Sequence, residues 1–69
     1  MKPEERIDMT SRDRLMRSWH NSMELVRDYQ AYAEEIKGDK QLSLIFREFA
    51  DDEAMHAAKF RELLHQYTN

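Results

Sequence analysis

The sequence contains no cysteine, and only one glycine and one proline in 69 residues. Without cysteine there is no disulfide framework, no cysteine-ligated zinc site and no thiol nucleophile. The scarcity of turn formers argues against a sheet protein, which must reverse direction often. No apolar run approaches the roughly twenty residues of a membrane span. The opening Met1-Lys2-Pro3-Glu4-Glu5-Arg6 has no apolar signal core. A cytoplasmic chain with no membrane partner is therefore expected. An excess of one charge is also missing. The net charge is −3, with acids and bases mixed throughout, which disfavours a nucleic-acid partner.

Charge and apolar side chains are both plentiful. Charged residues make up 36% of the chain and hydrophobic ones 41%, a balance that suits long helices with solvated outer faces. A chain of this length forms one small domain and buries only about 60% of its unfolded surface. With no disulfide to staple it, association or a metal is the expected stabiliser. Five Met, three Phe, three Tyr and one Trp exceed what so short a chain hides by itself. A homo-oligomer, at least a dimer, is expected.

Residues 1–9 are polar, carry Pro3, and read as a mobile arm. Thr10 or Ser11 suits a helix N-cap, with Asp13 three residues after Thr10. No Gly or Pro then interrupts until Gly38, so a first helix is expected over about 11–37. Gly38 reads as its C-terminal stop, and Asp39 as the cap of a second helix over about 40–67. A turn at 38–39 between two equal helices gives an antiparallel hairpin, and 10–69 form the folded unit. In the second helix Leu42, Ile45, Phe46, Phe49, Phe60, Leu63, Leu64 and Tyr67 recur at three- and four-residue steps. In the first, Leu15, Trp19, Met23, Val26, Tyr29, Ala33 and Ile36 do the same, widened by Leu25, Tyr32 and Met16. That arc is broader than one partner helix covers. The expected fold is all-α, a two-helix hairpin that dimerises into a four-helix bundle.

Two polar residues interrupt the second stripe. Glu53 lies seven after Phe46 and seven before Phe60, and His56 lies seven after Phe49 and seven before Leu63. Both spacings point into the apolar face. A carboxylate there is costly unless it is paired, protonated or bound to a metal. Glu53-Ala54-Met55-His56 sets an oxygen and an imidazole nitrogen one turn apart, a two-ligand claw for a transition metal. The other charged residues of this helix, among them Arg47, Glu48, Asp51, Lys59, Arg61 and Glu62, avoid the stripe.

The segment Ile45-Phe46-Arg47-Glu48-Phe49-Ala50-Asp51-Asp52-Glu53-Ala54-Met55-His56-Ala57 resembles the second helix of a ferritin-like, rubrerythrin-type domain. The hairpin layout is most similar to two-helix half-ferritins, encapsulated ferritins included, over about residues 12–67. The resemblance implies a bundle holding two irons. There, one Glu from each of two helices joins a Glu-x-x-His from each of the other two. It implies iron, or another divalent metal, as the cofactor. Fe(II) oxidation by a small-molecule oxidant, dioxygen or peroxide, would be the activity.

The resemblance also requires a carboxylate from the first helix. Reflecting Glu53 through a turn at Gly38 and Asp39 lands on Glu24, the candidate third ligand. The stripe instead presents Ser22, three after Trp19, four before Val26 and seven before Tyr29. Aligning Tyr29 with the family's first-helix tyrosine gives the same position. Glu24 is two residues on, about 200° round the helix. His20 is a further candidate, and no first-helix ligand is the remaining one. The rival functional reading is a non-enzymatic dimerisation module. In it, Glu53 and His56 form a buried polar pair that sets register, or a single inter-chain metal site.

Overall fold

A computed structural model describes the backbone of residues 3–68 and the side chains of residues 11–67. Two helices account for nearly all of it: α1, Pro3–Glu35, and α2, Lys40–Thr68. They pack side by side as an antiparallel hairpin with principal extents of 57 × 17 × 13 Å. Among the described residues there is no strand.

The first helix begins earlier than expected. The segment read as a mobile arm is helical from Pro3 onward, and Thr10 lies inside α1 rather than at its cap. Met1 and Lys2, also assigned to the arm, lie outside the described residues. Pro3 suits a first helical position, where its fixed φ fits and its missing N–H has no bond to lose. No breaker follows it, so the helix has no local reason to start at Thr10.

The connection is also longer than two residues. The helix ends at Glu35, and the last amide bond of this kind runs from Ile36 N–H to the Tyr32 carbonyl, 3.0 Å. Gly38 does not adopt a positive φ, so it is not the left-handed stop that its position suggested. Asp39 does cap α2: its Oδ1 accepts from Leu42 N–H at 3.0 Å and its carbonyl from Ser43 N–H at 3.1 Å. Ser43 in turn donates its hydroxyl to the Ala33 carbonyl at 2.6 Å. That bond satisfies one of the last carbonyls of α1, which have no partner inside the helix. It also ties the two helices together beside the turn.

Between the helices the side chains are small. Among the described residues, those buried are Ala33, Ala50, Ala57, Leu64 and Ser22, and no large side chain is fully buried. On α2, Ser43, Ala50, Ala57 and Leu64 form a seven-residue row along this seam. Close approach of the backbones follows, but little hydrophobic stabilisation. A buried methyl contributes about 0.8 kcal/mol, against about 1.5–3 kcal/mol for a whole Leu or Phe side chain. Many large apolar residues stay exposed: Leu42, Phe49, Tyr32 and Tyr67 are each 40–48% exposed, and Met16, Met23, Leu44 and Met55 between 38% and 70%.

Ring contacts fix the register. Tyr29 lies 5.7 Å from Phe46 and 6.2 Å from Phe49, and Tyr32 lies 5.4 Å from Phe46, edge to face. These contacts put Tyr32 and Phe49 on one flank of the hairpin. Further along, Ser18 lines a shallow groove with Leu63 and Tyr67 on the same flank. Leu25, seven from both Ser18 and Tyr32, continues it. The α2 part of this flank is the row Leu42, Phe49, His56 and Leu63. Nearer the turn, the opposite flank carries Gln30 and Glu34 beside Arg47 and Asp51.

Candidate metal centre

Glu53 and His56 stand one turn apart in the middle of α2. His56 Nδ1 lies 3.2 Å from Glu53 Oε2. Two donors each about 2.1 Å from one ion are about 3.0 Å apart at a right angle and about 3.4 Å apart at the tetrahedral angle. The observed separation falls between these, so the pair fits two adjacent positions on a single metal. It is equally a hydrogen bond when a proton sits between the atoms, with Nδ1 donating in that tautomer.

The surroundings of the two groups differ. The Glu53 side chain is 19% exposed and the His56 side chain 60% exposed. Glu53 belongs to the row Phe46, Glu53, Phe60 and Tyr67, at the edge of the seam. His56 belongs to the outer row, between Phe49 and Leu63. The expectation that both face into apolar surroundings therefore needs a correction for His56. Within one hairpin its side chain points out from the flank, because α1 covers only the seam.

The helix α1 candidates separate clearly. Stepping seven residues back from Tyr29 and seven forward from Phe46, which are in contact, brings Ser22 level with Glu53. Ser22 is only 4% exposed and faces α2. Glu24 is exposed. Two residues beyond a position that faces α2, it lies on the far side of α1. His20 is exposed as well, with its ring 5.3 Å from that of Trp19. Neither joins Glu53 and His56. Among the described residues no group of three or more His, Asp or Glu side chains is placed to hold a metal. One hairpin thus presents two donors.

The small alanines near the pair are not equivalent. Ala50 and Ala57 are buried in the seam, while Ala54 and Ala58 are exposed. Close helix approach accounts for the first two. Ser43, which reaches across to Ala33, was not singled out in the sequence, since an i to i−10 bond has no periodic signature.

Two long antiparallel helices with Glu-x-x-His at the centre of the second have the layout of one half of a ferritin-like bundle. The rubrerythrin family model matches residues 13–69, most of the chain, and the protein belongs to that family. No curated protein and no solved structure matches it. No helix among the described residues is long and apolar enough to cross a membrane.

The donors can be tested against the family's metal site. A di-iron bundle takes four Glu and two His from four helices. Two copies of this hairpin bring two Glu-x-x-His pairs, and Ser22 stands level with Glu53 where α1 would contribute a carboxylate. The residues present suit a metal ion, with a smaller donor set than the family's.

Proposed function

We propose that the chain is a ferritin-like iron-binding protein that works as a homodimer, with Glu53 and His56 as metal ligands and Fe(II) oxidation as its chemistry. The observation that carries the reading is the Glu53–His56 pair, 3.2 Å apart, with His56 in a row of α2 otherwise made of Leu42, Phe49 and Leu63, in a chain of the rubrerythrin family. Dimerisation is supported by how little the hairpin buries alone. Pairing two flanks would cover Leu42, Phe49, Tyr32 and Tyr67, and would surround both pairs with apolar side chains. Glu53 and His56 would hold the iron, which would supply the electrons for reduction of dioxygen or peroxide. A cytoplasmic setting, where iron is kept as Fe(II), suits this role.

The protein's own part is to hold and shield the ion. Glu53 would supply charge and His56 a nitrogen, and in the dimer the rows around them would exclude water. Exposed Glu24 would take no part in ligation. The test is anaerobic Fe(II) loading of the wild-type and Glu53→Ala proteins, followed by desalting, iron analysis and sedimentation. Iron retained by the wild type and lost in a still-dimeric variant supports the reading. No iron on the wild type sinks it and leaves the rival, a helical module in which the pair only sets register.

A further inference from the structure

The geometry points to a single divalent transition-metal ion per dimer, shared across the two-fold axis by Glu53 and His56 of both copies, with no ligand from α1. This rests on the homodimeric metal-binding reading above and concerns how many ions that site holds.

The position of the pair along α2 is the first argument. The helix runs Lys40–Thr68, so its midpoint is residue 54. Two such helices overlap along their whole length, burying the most apolar surface, only when the two-fold axis crosses them near that midpoint. An axis there sets Glu53 of one copy level with the partner's His56, and the reverse. The row Leu42, Phe49, His56 and Leu63 then lies level with Tyr67, Phe60, Glu53 and Phe46 of the partner subunit, and the reverse, as an isologous antiparallel contact requires. The two claws then close on one point.

Charge balance is the second. Two Glu53 carboxylates neutralise one divalent ion. Two divalent ions would leave a net charge of about +2 against the apolar rows, and uncompensated buried charge is strongly unfavourable. A di-iron site avoids this with two more carboxylates. Here the inner face of α1 level with Glu53 is Ser22, 4% exposed, and the nearest carboxylate in sequence, Glu24, faces away. Two carboxylates and two imidazoles offer four to six donor atoms, enough for one iron, cobalt or zinc ion.

The experiment is a titration of the metal-free dimer with Co(II), and with Fe(II) under anaerobic conditions. Metal per chain is then measured after desalting, and the Co(II) visible spectrum is recorded. Half an ion per chain is expected. One ion per chain would overturn this inference and leave the metal-binding reading standing. No retained metal would overturn both. Ser22→Ala is expected to keep half an ion per chain; loss of metal in that variant would make Ser22 a ligand and defeat the inference. Ser22→Glu, if it folds, is expected to double the stoichiometry by restoring one carboxylate from each α1.

Discussion

His56 and Glu53 touch at 3.2 Å, yet 60% of one side chain is exposed and only 19% of the other. The carboxylate sits at the edge of the seam between the helices. The imidazole stands in the outer row with Phe49 and Leu63. The two residues therefore contribute differently to the fold, and substitutions should separate those contributions.

Replacing His56 with Leu completes an apolar row interrupted by one polar ring. In the proposed dimer that row is buried between copies, so the metal-free variant should be more stable, by about 1 kcal/mol or more per chain. Metal should no longer raise its melting temperature. Thermal unfolding with and without Co(II) measures both effects. Unchanged stability of the metal-free variant would mean that the row lies outside any interface.

Enlarging the seam should do the opposite. Ala57 is 4% exposed and Ala50 2% exposed, so Ala57→Leu forces the helices apart and should destabilise by about 1–3 kcal/mol. Exposed Ala58→Leu, one residue on, should change stability by no more than about 0.5 kcal/mol. Urea unfolding of both variants gives the contrast. Equal effects would show that the alanines are not what sets the spacing.

Gly38 offers a stabilising change. Its φ is not positive, and a Cβ built on it would meet nothing within 4 Å. Gly38→Ala should therefore stabilise by about 0.4–1 kcal/mol, through reduced freedom of the unfolded chain. A left-handed Gly38 would give a loss instead, so the sign of the change in urea midpoint decides the matter.

Lys59 holds the Glu62 carboxyl below its ordinary pKa, first by the 2.8 Å hydrogen bond from Nζ and then by its charge. A depressed carboxylate contributes stability above its unfolded pKa and loses it as pH falls through the folded value. Carboxyl NMR titration should find Glu62 titrating below the usual glutamate range, and Lys59→Met should return it to that range. Both side chains are mostly exposed, so molar salt should weaken the shift.

Periodicity made much of this legible. The three- and four-residue steps give both helices, and the seven-residue relations of Glu53 and His56 to their apolar neighbours single them out. The same arithmetic puts Ser22, rather than Glu24, on the inner face of α1. Three things were not legible, each for its own reason. Pro3 is compatible with either a loop or a first turn, so the start of α1 was free to move. Gly38 permits a positive φ without requiring one. Periodicity names an apolar face but not what covers it. The division between the alanine seam and the exposed Phe49 row depends on where α1 lies, and side-chain size gave only a hint of that.

The rows along α2 repeat every seven residues, from Ser43 to Leu64 and from Leu42 to Leu63. Each added residue turns a helix by about 100°. One insertion between Asp39 and Glu53 would swing everything beyond it about a quarter-turn away from α1 and remove the pair from its flank. Seven inserted residues would nearly restore the alignment. Such a hairpin accepts substitutions singly but changes length in steps of about seven or eleven residues, which return each side chain to within about 20° of its row. Relatives that keep the site should differ in length by such steps, or at their ends.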